Sequence, residues 1–347
     1  MSQPSQMFQT SQSPAYVGRL APSPTGALHL GNARTFMVAW LRARSQGGKV
    51  IFRMEDRDHP KDKPGAAVQA VVDLKWLGFD WDEEYVQSER KGIYRQALEG
   101  LLHPHQAPGT KHQALIYPCV CSRKDVESAQ SAPHAGEQLY YPGTCRGRFA
   151  TWREARSFLE RASDSRCSRS SSSSRMPCWR FKVPEETTIA FDDAFAGHYE
   201  QDVSRTLGDF PLARDEFGAG YTLACAVDDL LMGVTEVVRG DDLLAATPAQ
   251  ILLARALKNS VIRSFGHSVI PSYCHVPLVV GRDGKRLAKR HGDTRIASYR
   301  EAGKTPEELI GFLAASCGWA AKGERVSLAD LVPRFDLGTI PHSPFMI

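Results

Sequence analysis

The pattern of hydrophobic and polar positions at the start of the chain predicts a strand, an irregular loop and then a helix. Residues 16–21 alternate well enough for a strand, and the prolines and glycines of residues 22–31 exclude regular structure. Apolar residues then recur at helical spacing, at Ala33, Phe36, Met37, Trp40 and Leu41. This pattern places His29 at the entrance of a helix.

The same alternation of strand and helix continues along the chain. Lys49–Met54 reads as a strand, and a helix is predicted from about Pro64. Further strands are predicted at Tyr221–Val227 and Thr235–Val238. A helix with Pro248 in or near its first turns is predicted at residues 243–257, and the segment after Thr294 is predicted to be mostly helical. Strands that alternate with helices are typical of an α/β fold with a parallel sheet.

Three segments interrupt this alternation and suggest how the chain is organised. Residues 103–111 are rich in proline and histidine, residues 117–148 carry cysteines, and eight of the first twelve residues of the segment 163–175 are serine. A serine-rich run cannot build a core, so we expect a flexible loop there. We therefore divide the chain into a disordered tail (1–15), the first half of a catalytic domain (16–102), an insertion (103–190), the second half (191–293) and a helical C-terminal region (294–347).

The composition is typical of a globular protein and not of a membrane-spanning protein. With 347 residues, 42% of them hydrophobic, it has enough material for two or three packed domains. No apolar run approaches the roughly 20 residues that span a bilayer, and the first fourteen residues lack a secretion signal, so we expect a cytosolic protein. The net charge of +4 permits a basic face but does not by itself predict nucleic-acid binding.

The loop and helix entrance at His29 suit a phosphate. Backbone N–H groups at the start of a helix have no partner within the helix and carry the positive end of its dipole. Such a site favours an anion, and an imidazole beside it can donate one more hydrogen bond.

The residues that form this loop also resemble a known family. Residues 18–35 read GRLAPSPTGALHLGNART. The His-Leu-Gly-Asn at 29–32 resembles the HIGH signature of class I aminoacyl-tRNA synthetases, and the preceding Arg-x-Ala-Pro-Ser-Pro-Thr-Gly resembles their glutamyl branch. The resemblance implies a Rossmann-like catalytic domain in which His29, Gly31 and Asn32 bind ATP with Mg²⁺ and His29 acts in catalysis.

A second signature of this family is found far downstream. Residues 284–292 read GKRLAKRHG and resemble the KMSKS loop in its glutamyl form, Lys-Leu-Ser-Lys-Arg. Arg286 and Ala288 depart from that pattern, whereas Lys289 keeps its second lysine. The resemblance implies that Lys289 binds ATP and assists catalysis.

The expected amino-acid substrate has two carboxylates and an ammonium, which require arginine forks and an acidic partner. The resemblance assigns this L-glutamate pocket to five residues: Arg19, Ser23, Glu55, Tyr221 and Arg239. Arg19 is expected to bind a carboxylate, Ser23 to add a hydrogen bond and Glu55 to receive the ammonium. Asp228 and Asp229 remain unassigned.

The cysteines of the insertion suggest a metal site. Eight cysteines at irregular spacing in a cytosolic protein favour metal ligands or free thiols over disulfides. Cys119, Cys121 and Cys145 could bring three thiolates to one zinc ion, although from spacing alone free buried cysteines are the better interpretation.

A further resemblance changes this interpretation. Cys-x-Cys followed by Tyr-x-x-x-Cys resembles the zinc site of a truncated branch of the family, which attaches glutamate to the queuosine of tRNA(Asp). The resemblance implies a structural zinc ion with Tyr141 as the fourth ligand. His134, Cys167 and Cys178 remain alternatives for that fourth place.

The length after the second signature also bears on the acceptor RNA. About 55 residues follow Gly292, whereas ordinary glutamyl-tRNA synthetases carry a large helical anticodon-binding region there. The resemblance therefore implies a monomer that activates glutamate with ATP and transfers it to queuosine in the anticodon loop of tRNA(Asp). The alternatives are a shortened conventional synthetase that charges tRNA(Glu), and a non-catalytic RNA-binding paralogue.

Overall fold

The computed structural model describes residues 15–57, 62–104, 113–129, 139–164, 175–260, 268–285, 287 and 293–347. Its first part contains β1 (Val17–Leu20), α1 (Leu30–Arg44), β2 (Lys49–Met54), α2 (Ala66–Trp76), β3 (Glu83–Val86) and α3 (Lys91–Leu102). Both pairings in this part, β1 with β2 and β2 with β3, are parallel. The alternation of strand and helix predicted for this part of the chain is confirmed.

The middle part contains β4 (Ile116–Cys119), α4 (Arg123–Ala129), α5 (Trp152–Asp164), β5 (Cys178–Phe181), β6 (Thr188–Asp193), β7 (Gly197–Asp202), α6 (Val203–Thr206) and β8 (Pro211–Ala213). Strands β4, β5 and β8 form a small antiparallel sheet. β8 lies beyond residue 190, so residues from outside the predicted insertion complete its sheet.

The next part contains α7 (Tyr221–Leu231), β9 (Glu236–Gly240), α8 (Thr247–Ser260), β10 (Ser272–Val276) and β11 (Val279–Val280). The strand predicted at Tyr221–Val227 is wrong, because these residues form the first two turns of α7. Residues 223–230 are all buried, and a short run that is apolar on every side has no period that separates a buried strand from a buried helix. α8 begins at Thr247, so Pro248 lies in its first turn as predicted.

The last part contains α9 (Ile296–Glu301), α10 (Pro306–Ala315), α11 (Leu328–Leu331) and β12 (Phe345–Met346). Helices are present as predicted, but they cover less than half of residues 294–347, so the expectation of a mostly helical region is confirmed only in part. The sequence did not predict β12, which pairs in parallel with β11.

The central sheet is covered by helices on both faces. Its second group of strands has the order β7-β6-β10-β9, and Thr235 N donates to Val17 O at 2.9 Å, which links β9 to β1. Phe52 packs in the core beneath α1, whereas its neighbour Ile51 packs in the core formed with α3, α7 and α8. Successive side chains of a strand point to opposite faces, so both faces of the sheet are buried.

No helix among the described residues combines the length and the apolar character that a membrane span requires.

Candidate active site

His29 caps the N-terminus of α1. The backbone N–H of Gly31 donates to His29 Nδ1 at 3.2 Å, and the backbone N–H of His29 donates to Asn32 Oδ1 at 3.2 Å. Because Nδ1 accepts a hydrogen bond, we assign the proton of the neutral ring to Nε2. A side chain at residue 31 would bring its Cβ to 3.1 Å from the imidazole, so glycine leaves room for this ring. The predicted position of His29 at a helix entrance is confirmed.

The segment after the second signature lies against the first. Leu30 N donates to Thr294 O and Ile296 N donates to Leu28 O, each at 3.0 Å. A cavity of about 1000 Å³ is lined by both signatures, including His29, Lys63, Leu287 and Arg295. The structure therefore brings residues next to the two signatures to one cavity. Lys289, Arg286 and Ala288 lie outside the described residues.

Arg19 and Glu55 occupy one buried network at the carboxyl ends of β1 and β2. Arg19 Nη1 donates to Val238 O at 3.0 Å, and its Nε lies 3.8 Å from Asp229 Oδ1. Glu55 accepts hydrogen bonds from Ser23 Oγ at 3.3 Å and from Cys225 Sγ at 3.2 Å. Only 8% of Arg19 and 4% of Glu55 are exposed, so both charges act in a medium where electrostatic interactions are strong.

Arg53 joins these groups and was missed by the sequence analysis. Its Nη1 lies 2.6 Å from Asp229 Oδ1 and its Nη2 lies 3.3 Å from Glu55 Oε1. Burial alone lowers the pKa of this guanidinium, but the charges of Asp229 and its other acidic neighbours raise the pKa well above its usual value. Arg53 therefore stays charged and holds two carboxylates in place. It lies two residues before Glu55, within the same charged run of sequence.

Asp228 and Asp229 are the residues that the sequence left unassigned. Asp228 is fully buried and accepts hydrogen bonds at 2.8 Å from Gln87 Nε2, Arg90 Nε and Tyr94 Oη. These contacts tie α7 to α3 and to the turn before it. Asp228 is thus a structural residue, whereas Asp229 faces the two arginines described above.

Arg239 is oriented by a second buried network. Its Nε donates to His275 Nε2 at 2.9 Å, and its Nη2 donates to Thr247 Oγ1 at 2.6 Å. His275 Nδ1 lies 2.6 Å from Asp193 Oδ2. Burial lowers the pKa of His275, which favours the neutral ring. Since Nε2 accepts from Arg239, the ring proton is on Nδ1 and is donated to Asp193.

Tyr221 is the first residue of α7, between the two networks. Burial raises the pKa of its phenol, and the charges of Glu55, Arg239 and Arg19 all act on it. The Arg57 guanidinium lies 5.4 Å from the centre of its ring. The five residues predicted for the glutamate pocket, Arg19, Ser23, Glu55, Tyr221 and Arg239, therefore converge on one region of the structure.

Three of the predicted zinc ligands lie close together. The sulfur atoms of Cys119, Cys121 and Cys145 all lie within 4.8 Å of one another, and those of Cys121 and Cys145 are 3.6 Å apart. The Tyr141 hydroxyl lies 3.2 Å from Cys119 Sγ and 3.6 Å from Cys121 Sγ. Tetrahedral zinc with Zn–S bonds of about 2.3 Å has its ligand atoms roughly 3.8 Å apart, so the four groups fit such an ion.

The alternatives for the fourth ligand are placed differently. Cys178 pairs with Cys119 across β4 and β5, but within the described part of the chain it is not one of the grouped thiols. His134 and Cys167 lie outside the described residues. Arg180 Nε donates to Cys119 Sγ at 3.2 Å, and hydrogen bonds from the Cys121, Cys145 and Cys178 thiols lower the pKa of Cys119. Thiolate is the form of cysteine that binds a metal.

Comparison with known proteins identifies the family. The family described as "tRNA synthetases class I (E and Q), catalytic domain" matches residues 16–332. The chain belongs to this class I synthetase family. A Symbiobacterium thermophilum member named Glutamyl-Q tRNA(Asp) synthetase is 44% identical over 341 residues, which cover 95% of each protein. A Rhodopirellula baltica member with the same name is 41% identical and covers 95% of this chain and 96% of its own.

Longer members of the class I synthetase family match over part of their length. An Aquifex aeolicus protein named Glutamate--tRNA ligase is 37% identical over 94% of this chain and 63% of its own length. The crystal structure of a glutamate tRNA ligase from Elizabethkingia meningosepticum, in complex with its amino acid, superposes with a TM-score of 0.71. The two chains are 26% identical, with 96% of this chain and 67% of the other covered. The α/β class I catalytic fold and the ATP-dependent ligase class follow from these matches.

Proposed function

We propose that this protein activates L-glutamate with ATP and transfers it to queuosine in the anticodon loop of tRNA(Asp). The observation that carries the proposal is the match, over 95% of both chains, to a relative named Glutamyl-Q tRNA(Asp) synthetase. The convergence of Arg19, Glu55, Tyr221 and Arg239 in one region supports the amino-acid half of the reaction. We also propose that the enzyme acts as a monomer and in the cytoplasm, where its tRNA substrate is found.

In the first step a carboxylate oxygen of glutamate attacks the α-phosphorus of ATP. A phosphorus–oxygen bond forms, the bond to pyrophosphate breaks, and pyrophosphate leaves with the electron pair. Arg19 and Arg239 bind the substrate carboxylates, Ser23 adds a hydrogen bond and Glu55 receives the ammonium. Arg239 Nε and Nη2 already donate to His275 and Thr247, so Nη1 is the donor directed to the substrate. Arg53 keeps Glu55 in position, and the network of His275 and Asp193 fixes the plane of Arg239.

Negative charge develops on the phosphate oxygens, and groups at the start of α1 stabilise it. His29 lines the cavity next to both signatures, and the positive end of the α1 dipole lies beside it. The first N–H groups of the helix already donate to Thr294 O and His29 Nδ1, so the imidazole supplies the donor to the phosphate. The Gly31 N–H holds the imidazole at Nδ1, and Asn32 Oδ1 holds the backbone N–H of His29. Lys289 serves the pyrophosphate from the second signature. Mg²⁺ enters with ATP, and positioning together with fixed charges supplies the acceleration.

In the second step a hydroxyl oxygen of the queuosine cyclopentenediol attacks the carbonyl carbon of glutamyl-adenylate. An ester bond forms, the carbon–oxygen bond to the phosphate breaks, AMP leaves with the electron pair, and the hydroxyl proton is released. No covalent bond to the enzyme is required in either step.

The acceptor is tested with labelled glutamate, ATP and three RNAs: tRNA(Asp) with queuosine, tRNA(Asp) without it, and tRNA(Glu). We expect label only on the first. It should remain after the 3′-terminal adenosine is removed, because the ester is on the base. Labelling of tRNA(Glu) that disappears after 3′ trimming would instead identify a conventional synthetase. Absence of glutamate-dependent pyrophosphate exchange would identify a non-catalytic paralogue.

We also propose that Cys119, Cys121, Tyr141 and Cys145 hold a structural zinc ion. A site closed by four protein ligands leaves no position for substrate. When bound, the ion would cross-link the loop after β4 to the turn that contains Tyr141 and Cys145. Burial raises the pKa of Tyr141, so the metal would have to displace the phenolic proton.

Metal analysis of the purified protein is expected to give about one zinc ion per chain. Cys121→Ser should lose the ion and lower the thermal stability of the insertion, while ATP binding remains. Cys178→Ser is the matched control, because Cys178 neighbours the cluster on β5 without belonging to it. Full zinc content in Cys121→Ser, or equal loss in Cys178→Ser, would contradict the proposed ligand set.

A further inference from the structure

A second large cavity lies beside Tyr221, on the side of α3. Its volume is about 640 Å³, within the range of small-molecule sites. The N-terminal turn of α3 forms one wall, and the loop of residues 214–220 between β8 and α7 forms another. Tyr221 belongs both to this wall and to the proposed glutamate pocket. We call this space the α3 cavity.

The lining of the α3 cavity is strongly basic. It includes four cationic side chains, those of Arg57, Lys91, Arg95 and Arg214. One carboxylate also lines it, that of Asp215, whose Oδ1 accepts the backbone N–H groups of Phe217 and Gly218. Arg95 also pairs with Glu99 at 2.9 Å. Positive side chains still outnumber the carboxylates at this cavity, so it favours an anionic ligand.

Phe217 adds an aromatic surface to this basic lining. Its side chain is 39% exposed, and the Arg95 guanidinium lies over its ring at 4.0 Å from the centroid. Aromatic rings and arginine planes that are stacked and accessible are the means by which proteins hold unpaired RNA bases.

The loop that carries Phe217 has a fixed shape. Gly220 N donates to Leu212 O at 2.6 Å, and Trp179 Nε1 donates to Glu216 O at 2.9 Å. A Cβ at Gly220 would lie 2.8 Å from Leu212 O, so this close approach requires glycine. The platform is thus preorganised by the loop, which lowers the entropic cost of holding a ligand.

The other substrates already have separate places. The lining of the α3 cavity shares no residue with that of the cavity beside His29, where ATP is proposed to bind. The carboxylates of glutamate are assigned to Arg19 and Arg239, which do not line the α3 cavity. The remaining substrate of the proposed reaction is an RNA nucleotide, which combines a flat base with anionic phosphates.

We propose that the α3 cavity binds the acceptor nucleotide of the RNA, with its base against Phe217 and Tyr221 and its flanking phosphates near Arg95, Arg214 and Lys91. The nucleotide must leave the anticodon loop stack to enter. The shared position of Tyr221 then brings the reacting hydroxyl of the base next to the activated carboxyl of glutamate. This inference rests on the proposed function, since it supplies the place where the second step occurs.

The test separates activation from transfer. Phe217→Ala and Arg95→Gln should leave glutamate-dependent pyrophosphate exchange unchanged and slow transfer from preformed glutamyl-adenylate to queuosine-containing tRNA(Asp) by about tenfold or more. For Arg95→Gln, the slope of log Kd against log salt for a queuosine-containing anticodon stem-loop should fall by about 0.7, the value for one phosphate contact.

Arg156→Gln is the matched control. Arg156 forms the same kind of ion pair, with Glu160 four residues later at 2.9 Å, and also lies over an aromatic ring, that of Trp152. Arg95 pairs with Glu99 at the same distance. An equal loss of transfer in Arg156→Gln would overturn the inference. Normal transfer in both the Phe217→Ala and the Arg95→Gln variants would also overturn it. Failure of the proposed function would appear in the wild-type protein instead, as absence of queuosine-dependent labelling.

Discussion

Serine in place of His29 is expected to lower the rate of glutamate-dependent ATP–pyrophosphate exchange by about 10²-fold without lowering thermal stability. The serine hydroxyl preserves the N-cap of α1, because it can accept the hydrogen bond that His29 Nδ1 now accepts from Gly31. It is too short to place a donor where the imidazole Nε2 lies. Loss of one fixed donor to developing charge typically costs 10²–10³ in rate.

Alanine at the same position separates the two roles of His29. We expect the same loss of exchange together with about 1 kcal/mol of unfolding free energy, because alanine cannot cap the helix. Thr305→Ala is the control: Thr305 Oγ1 caps α10 by accepting from Glu308 N at 3.3 Å, in a capping box of the same kind. This variant should lose stability and keep its exchange rate. Exchange at the wild-type rate in His29→Ser would exclude a catalytic role for the imidazole.

Lysine in place of Arg239 is expected to lower kcat/KM for glutamate by about 10²-fold, because an ammonium cannot reproduce the planar fork. The guanidinium donates to His275 Nε2 and Thr247 Oγ1 at once. A lysine at this position removes the charged donor of His275 Nε2 and leaves Thr247 Oγ1, at 3.0 Å, as its partner. A hydrogen bond from a charged group contributes about 1.5–3 kcal/mol. We therefore expect both a higher KM for glutamate and lower thermal stability.

Arg42→Lys is the control for this substitution. Arg42 forms a fork with the Glu236 carboxylate at 2.9 and 3.2 Å, but it is not among the residues that converge on the proposed pocket. This variant should lose some stability and retain its kcat/KM. An Arg239→Lys enzyme with normal use of glutamate, or equal activity of the wild type with aspartate, would contradict the assignment.

The parts of the fold that were predicted correctly are specified by neighbouring residues. β1, the loop, the entrance of α1 and β2 follow from local alternation and from prolines, glycines and a capping histidine. The start of α7 was assigned as a strand because residues 223–230 are buried on every side of the helix. Such a segment lacks the 3.6-residue spacing of apolar and polar positions that identifies a helix in a sequence. Its type is set by packing against α3 and α8, which no local pattern reports.

The same distinction applies to the site. The residues assigned to glutamate could be proposed from the sequence because they lie in short runs that resemble family signatures. His275 and Asp193 were missed because 36 and 82 residues separate His275 from Arg239 and Asp193. They meet only through the order β6-β10-β9 in the sheet. A histidine in a strand is, on its own, an ordinary core residue, so no sequence signal pointed to this network.

The pairing of β11 with β12 couples two distant parts of the chain energetically. Phe345 N donates to Leu278 O at 2.9 Å, and Ile347 N donates to Val280 O at 3.1 Å, immediately before Gly281 and the second signature. Substitutions at residues 345–347 and at residues 279–280 should therefore combine non-additively. Such epistasis would make the effect of a substitution at residues 345–347 depend on the residues that precede the second signature.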